Sequence, residues 1–198
     1  PLRSTAQSQG SNCGHSTPKD DDVSEATFDA AFAVVDRIGG WLTRAQAQAL
    51  HRAVLDLPAG STVVEVGSHQ GRSTITLALA RADVRVMAID PFVDGWKFGG
   101  IATRAVFERN LLDAAVADRV TLLTRPSADV RRTWSSPVEL VYIDGKHDAW
   151  SAAQDLRWRQ FLPPHGRIFV HDAFSSIGVT LAVLWRVLPS RQLRYVGR

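Results

Sequence analysis

The sequence predicts an α/β protein of the doubly wound, Rossmann-like class, with a mainly parallel sheet and helices on both faces. From residue 61 onward, short apolar runs of strand length alternate with segments of helical periodicity. The apolar runs are nearly continuous, which is typical of parallel strands buried on both faces. A chain of 198 residues is long enough for one domain with its own core.

The N-terminal part is expected to contribute an arm and helices. Residues 1–22 are rich in Ser, Gln, Gly, Asn and Asp, which predicts a flexible arm. Residues 23–198 are expected to form a single domain, within which residues 23–58 are helical and residues 61–198 form the core. The expected helices are 24–38, 43–56, 73–80, 102–116, 127–134, 150–161 and 177–188. The expected strands are 61–66, 84–89, 120–123, 138–143, 168–170 and 193–196.

The stretch 61–80, STVVEVGSHQGRSTITLALA, organises the rest of the chain. An apolar strand leads into a turn that contains Gly67 and Gly71, and a helix follows directly. The glycines let the backbone approach a ligand where a Cβ would collide, and the first turn of the helix directs unpaired N–H groups at the turn. The turn is therefore the predicted binding site.

Two phosphate-binding motifs do not fit this turn. A P-loop would need one more residue between Gly67 and Gly71, and Arg72 stands at the position of its lysine. The G-x-G-x-x-G spacing of dinucleotide-binding proteins is not met either, because His69 and Gln70 separate the glycines.

Polar residues follow the predicted strands at the points where they end. Gly67, Asp90, Asp144, His171 and Asp172 all stand at such positions. Because ligands of open parallel sheets bind at the carboxyl ends of the strands, these residues are expected to line one cleft. The two carboxylates of Asp144 and Asp172 suit a hard divalent cation, Mg²⁺ foremost and Mn²⁺ next.

The motif E-x-G-x-x-x-G-x-S over 65–73, with Asp90 closing the next strand, resembles class I S-adenosylmethionine-dependent methyltransferases. The motifs Y-I-D-G-x-H and H-D-A-F at later strand ends extend the resemblance over residues 62–172. Within that class, the chain is most similar to the branch of macrocin-type sugar O-methyltransferases and related small actinobacterial enzymes. The resemblance makes 61–198 the cofactor-binding core. It also implies a sheet that closes with a sixth and a seventh strand, of which the seventh is expected to be missing from this chain.

The resemblance implies contacts to the methionine end of the cofactor. Glu65 would order the turn or bind the amino group, although it could also be a plain strand-end charge. Gly67 and Gly71 would let the backbone approach, unless they serve only the turn. Ser68 and Ser73 would donate hydrogen bonds to the carboxylate, although Ser73 could instead cap the helix.

Further contacts would hold the adenosine. Asp90 suits the ribose, because a carboxylate can accept two hydrogen bonds from a diol. Ser127 and Ala128 would lie near the adenine, by their position after the third strand.

The resemblance also implies catalytic roles. His147 would be the general base that removes a proton from a sugar hydroxyl activated by a metal at Asp144, and the oxygen would then attack the sulfonium methyl group. The alternative is structural, with His147 capping the next helix and Asp144 paired with Lys146. The chain departs from the resemblance beside Asp172, where relatives usually place a second acidic or amide ligand and this sequence has His171 and Ala173. Either His171 binds the metal, which would favour Mn²⁺ or Zn²⁺, or the site keeps two carboxylates and more water; we expect the second.

Trp96 and Phe98 lie in a glycine-rich loop after the second strand. Their rings could stack on an acceptor, or they could anchor the loop to the core. A homodimer through the N-terminal helices is also a hypothesis, without a sequence motif to support it.

A sugar hydroxyl is the preferred acceptor, in a saccharide or a glycosylated metabolite, with methylated mannose or glucose oligosaccharides as one context. A catechol-type O-methyltransferase is the first alternative: Lys146 suits its lysine base, but the Asn expected after Asp172 is missing. An NAD-dependent oxidoreductase and a non-catalytic cofactor-binding subunit are more distant alternatives. Neither explains Asp144, His147 and Asp172 together.

Composition limits the other classes of function. The net charge is +3 and the isoelectric point about 9.5, but the sequence has no block of five Lys or Arg, so no nucleic-acid partner is expected. No apolar run approaches the roughly 18 residues of a membrane span. The single cysteine, Cys13, excludes an intrachain disulfide and fits a reducing cytoplasm.

Overall fold

The structure, a computed structural model, describes residues 18–94, 99–190 and 193–196, with side chains from residue 25 onward. The helices are α1 (Pro18–Val35), α2 (Arg44–Leu55), α3 (Arg72–Ala80), α4 (Ile101–Asp113), α5 (Ser127–Thr133), α6 (Ala149–Asp155) and α7 (Ile177–Val187). The strands are β1 (Thr62–Val66), β2 (Arg85–Ile89), β3 (Val120–Leu123), β4 (Leu140–Ile143) and β5 (Arg167–Val170). Two short 3₁₀ segments cover Ala117–Arg119 and Leu156–Phe161.

Within the described residues, one sheet of five parallel strands has the order β3-β2-β1-β4-β5. The chain moves outward from β1 through β2 to β3 and then returns to place β4 on the other side of β1. The sheet therefore has its topological switch point between β1 and β4, which is where ligands bind in doubly wound folds.

The two faces of the sheet are covered by different halves of the chain. Val63 of β1 packs in the cluster formed with α1 to α4, and Val64 packs in the opposite cluster with α5, α6 and α7. Successive side chains of a strand point to opposite faces, so a strand buried on both faces must be apolar at consecutive positions. The predicted fold class is confirmed.

The N-terminal helices are tied to the turn after β1 by Arg72. Its guanidinium donates to the carbonyl oxygen of Ile38 at 2.8 Å and to Asp36 Oδ1 at 2.9 Å. Thr43 caps α2, as predicted, in a capping box with Gln46. The α1–α2 connection is thereby held against the first residue of α3.

Some predicted boundaries differ from the structure. Helix α1 begins at Pro18, so five residues expected in the arm are helical, whereas residues 1–17 lie outside the described residues. Proline is well tolerated there because the N–H groups in the first turn of a helix have no hydrogen-bond partner within the helix, so the N–H that proline lacks is not needed. The helix expected over 150–161 changes to 3₁₀ geometry at Leu156.

The prediction of a sixth strand is wrong. Leu193–Val196 has irregular backbone, and the side chain of Val196 is 92% exposed. The Leu193 N–H donates to Ser190 Oγ at 3.0 Å, so the backbone turns onto its own chain instead of pairing with β5. Tyr195 packs edge-on against Phe174. None of the helices in the described parts of the chain is both long and apolar enough to cross a bilayer.

Candidate active site

The strand ends that carry the predicted site are in register. Val66 of β1 pairs with both Ile89 and Ile143, and Ile143 pairs with Val170. The residues that follow these strands are therefore brought to one edge of the sheet: Gly67, Asp90, Asp144 and His171. The predicted residues therefore share one edge of the sheet, at the carboxyl ends of the strands, and the binding cleft there stays a prediction.

The glycines of the turn after β1 have left-handed backbone, with φ of 88° at Gly67 and 90° at Gly71. A Cβ on Gly67 would lie 2.2 Å from the carbonyl oxygen of Asp144, and one on Gly71 would lie 3.1 Å from the ring of Phe107. Both glycines are thus required by contacts inside the protein, and their approach to a cofactor remains a prediction.

Glu65 is fully buried at the end of β1. Thr74 Oγ1 donates to one of its carboxyl oxygens. By hydrogen-bond distance and angle, neither its other oxygen, Oε1, nor the buried Ser68 Oγ has a partner among the described residues, although the Ser68 hydroxyl is near enough to help lower the pKa of Glu65. Burial raises the pKa of Glu65 to about 7, although nearby hydroxyl groups oppose the shift. Two buried, unsatisfied polar atoms beside the turn are what a polar ligand would complete.

Ser73 does not cap the helix that follows the turn, which was the alternative to its predicted contact with the cofactor. The N-cap of α3 is Gly71, which offers no side chain, and Ser73 lies inside the helix and is buried. Ser73 is therefore not a helix cap, and its hydroxyl lies on the side of Glu65, whose pKa it helps to hold down.

Asp90 connects the ends of β2 and β1. Its Oδ2 accepts hydrogen bonds from the backbone N–H groups of Ser68 and His69, both at 3.0 Å, and its Oδ1 accepts one from Phe92 at 2.9 Å. A carboxylate has about four acceptor sites, so capacity for one more donor remains. The ribose contact predicted for Asp90 stays a prediction, to which the structure adds a turn-fixing role.

The predicted adenine contacts begin α5. Ser127 is buried, and its Oγ accepts a hydrogen bond from the indole of Trp158 at 2.8 Å, while Ala128 is half-buried. Trp96 and Phe98, predicted to face an acceptor, lie outside the described residues.

The ends of β4 and β5 bring together two imidazoles and two carboxylates. His171 Nδ1 lies 3.1 Å from Asp144 Oδ1 and 3.6 Å from Asp172 Oδ2. His147 lies between the same carboxylates, with Nε2 3.6 Å from Asp144 and Nδ1 3.7 Å from Asp172. One possible ligand atom from each of Asp144, His147 and His171 falls within 4.8 Å of the other two, close enough to share a metal ion.

The charges in this cluster shift one another. Burial alone would raise the pKa of the Asp144 carboxyl, but the neighbouring imidazoles of His147 and His171 hold it below its usual value. Asp144 in turn raises the pKa of both imidazoles against the effect of their burial. Tyr142 donates a hydrogen bond to Asp144 Oδ2 at 3.3 Å. Burial raises the pKa of the Tyr142 hydroxyl.

The loop that carries His147 is held from two sides. Asp148, not His147, caps α6, since its Oδ1 accepts the Ser151 N–H at 2.8 Å; the capping alternative for His147 is therefore wrong. On the other side, a Cβ at Gly178 would lie 2.2 Å from the His147 carbonyl oxygen. Gly178 was not predicted as a site residue, because the contact joins segments that are separated in sequence by α6, a 3₁₀ segment and β5.

Comparison with known proteins defines the class. A model of the family described as "Methyltransferase domain" matches residues 64–173, which is more than half of the chain. The chain therefore belongs to this family and is a methyltransferase of the class that uses S-adenosylmethionine. The enzyme prediction is confirmed over the oxidoreductase and non-catalytic alternatives.

Solved structures share the fold. The chain is similar to the cofactor-bound protein Rv0187 from MTB, with 24% identity, coverage of 85% of this chain and 82% of the other, and a TM-score of 0.58. It is similar to an O-methyltransferase from Bacillus cereus in complex with SAH (19% identity, 84% and 82%, TM-score 0.57). It is also similar to CalS11 of calicheamicin biosynthesis, described as a TDP-rhamnose 3′-O-methyltransferase (17%, 89% and 93%, TM-score 0.52).

Proposed function

We propose that this protein transfers the methyl group of S-adenosylmethionine to a hydroxyl oxygen of a saccharide, with a divalent cation assisting. The observation that carries the proposal is the cluster of Asp144, His147, His171 and Asp172 at the strand ends beside the turn after β1. A methyl donor on the turn and an acceptor on the cluster would be neighbours across the switch point of the sheet.

The donor side is supported by the unsatisfied atoms of the turn. The methionine end of the donor carries an ammonium and a carboxylate group. Glu65 Oε1 could accept from the ammonium, and Ser68 Oγ could donate to the carboxylate. Asp90 would keep its backbone contacts and accept one hydrogen bond from the ribose.

The side chains of the cluster at the ends of β4 and β5 suit a divalent cation. We assign Asp144 and His171 as its ligands, with Asp172 as a third. A cation bound there would act as a Lewis acid that lowers the pKa of the acceptor hydroxyl. The two carboxylates alone suggest Mg²⁺ as the preferred ion. An imidazole nitrogen among the ligands favours Mn²⁺ or Zn²⁺ over Mg²⁺ instead.

His147 is assigned as the general base because of its exposure. Its side chain is 46% exposed, whereas that of His171 is 7% exposed, so His147 is the imidazole that an acceptor can reach. It would take the hydroxyl proton as the oxygen forms its bond to the methyl carbon. The bond from that carbon to sulfur breaks, and S-adenosylhomocysteine leaves with the electron pair.

Two arguments support a saccharide as the acceptor. CalS11, described as a TDP-rhamnose 3′-O-methyltransferase, has the same fold over 93% of its length. The alternative catechol-type reaction would need Lys146 as the base, but the imidazole of His147 is the basic group that lies between the two carboxylates. Oligosaccharides of methylated mannose or glucose are one form of such an acceptor.

Calorimetry and a transfer assay test the proposal. S-adenosylmethionine is expected to bind with micromolar affinity and NAD⁺ not to bind, in the presence of Mn²⁺. Labelled methyl transfer to TDP-rhamnose, methyl mannoside and catechol is then measured with Mn²⁺ and with EDTA. Transfer to a saccharide that EDTA abolishes is expected. Transfer to catechol alone would contradict the saccharide as the acceptor. Equal transfer with Mn²⁺ and with EDTA would contradict the role of the metal.

Two variants separate the base from the ligand. His147→Ala is expected to abolish transfer while Mn²⁺ still binds, and His171→Ala is expected to weaken Mn²⁺ binding. If His147→Ala loses the metal and His171→Ala keeps it, the two assignments must be exchanged.

A further inference from the structure

The connection between α1 and α2 presents an exposed indole beside the donor turn. The side chain of Trp41 is 61% exposed, whereas the next residue, Leu42, is 5% exposed and packs in the core. The indole lies with its ring centroid 5.4 Å from that of His69, at an interplanar angle of 42°. A large aromatic ring is thus kept at the surface by a backbone that is anchored on both sides.

The anchors are specific. Arg72 holds the carbonyl oxygen of Ile38 before the indole, and Thr43 begins the capping box of α2 directly after Leu42. The backbone on both sides of Trp41 is therefore held in place by contacts with the rest of the fold.

His69 occupies a strained position. Its φ is 46°, a left-handed value that few residues other than glycine adopt, and its N–H is held by Asp90 Oδ2 at 3.0 Å. Burial lowers the pKa of its imidazole against the charges of Asp90 and Asp144. Gly67, two residues before His69, lies against the backbone of Asp144, so the turn that carries His69 adjoins the strand end that begins the acceptor cluster. Strain of this kind is typical of functional sites.

We propose that Trp41 and His69 form the outer wall of the acceptor site, with the apolar face of a saccharide ring stacked on the indole. The inference rests on the proposed function. A pyranose presents a face of C–H groups that suits an aromatic ring, whereas the charged methionine end of the donor needs polar partners. Those partners, Glu65 and Ser68, are buried, whereas the indole of Trp41 is 61% exposed, so we assign the indole to the acceptor and not to the donor.

Steady-state kinetics with TDP-rhamnose or methyl mannoside tests the wall. Trp41→Ala is expected to raise KM for the saccharide by roughly tenfold with kcat nearly unchanged, because stacking binds the acceptor without touching the reacting atoms. Trp41→Phe, which keeps an aromatic ring, should recover most of the loss. The dissociation constant of S-adenosylmethionine should not change. Trp185→Ala is the control, since this indole is also exposed but lies on α7.

Fluorescence gives a readout independent of turnover. The same saccharides should quench the intrinsic fluorescence of the wild type, and Trp41→Phe should remove that quenching. Unchanged KM and quenching in the Trp41 variants would overturn the wall, and so would a weaker affinity for S-adenosylmethionine in Trp41→Ala. If no saccharide accepts methyl groups but Trp41-dependent quenching persists, the proposed reaction has failed while the wall stands.

Discussion

The carbonyl oxygen of Asp144 lies 2.2 Å from the point where Gly67 would carry a β-carbon. The backbone of the turn after β1 and the backbone at the end of β4 are therefore in direct contact. No side chain separates the two parts of the site, so their spacing is fixed by main-chain geometry.

Gly67→Ala is expected to destabilise the fold by more than Gly60→Ala does. Both glycines have left-handed φ, 88° and 71°, so each substitution costs roughly 1–2 kcal/mol of backbone strain. At Gly60 no described atom lies within 4 Å of the added carbon, whereas at Gly67 the carbon meets the Asp144 carbonyl. Urea denaturation of the two variants measures the difference, and equal losses would argue against the contact.

Gly178→Ala is expected to lower methyl transfer by roughly 100-fold, because the new carbon displaces the His147 carbonyl and with it the base. Binding of S-adenosylmethionine should be unchanged, since the atoms nearest to the added carbon belong to residues 147–149 and not to the turn after β1. Ser176→Ala is the matched control: it removes only a hydrogen bond of 3.3 Å to the same carbonyl and should have a small effect. A Gly178→Ala enzyme with wild-type kcat would show that the loop position does not matter.

Glu65 is expected to make the ligand-free protein less stable as the pH rises from about 4.5 to about 7. In that range the carboxyl is protonated in the folded state, where its pKa is about 7, and ionised in the unfolded state. Unfolding therefore releases a proton, and the free energy of unfolding falls by about 3 kcal/mol across the range.

Denaturation of the wild type and of Glu65→Gln at several pH values checks this. Burial also raises the pKa of Asp155, to about 6, but that slope is common to both proteins and cancels in the difference. An identical pH dependence in the variant would mean that Glu65 does not hold the proton.

Asp144→Asn is expected to weaken Mn²⁺ binding at least tenfold, because it removes a charged ligand from the cluster. Asp148→Asn is the control: it removes a carboxylate four residues away, and asparagine caps a helix as well as aspartate does. Calorimetric titration with Mn²⁺ measures both. Equal affinities would place the metal elsewhere or exclude it from this cluster.

The positions of the strand ends could be predicted because parallel strands align their carboxyl ends and the polar residues follow apolar runs directly. What could not be predicted are contacts between distant segments, such as Gly178 with His147 or Trp41 with His69, since no local pattern encodes them. The prediction of a sixth strand was wrong for a related reason. Leu193–Val196 has strand-like composition, but a strand also needs a backbone partner, and the Leu193 N–H bonds to Ser190 instead.

The division of the core between the two faces has a consequence for how such an enzyme could change. The turn after β1 leads into α3, which covers one face of the sheet, and the cluster of Asp144, His147, His171 and Asp172 precedes α6 and α7, which cover the other. They meet where Gly67 and Asp144 follow the ends of β1 and β4. A new acceptor could therefore be acquired by exchanging the second half as a module, provided that the main-chain fit between Gly67 and Asp144 is kept.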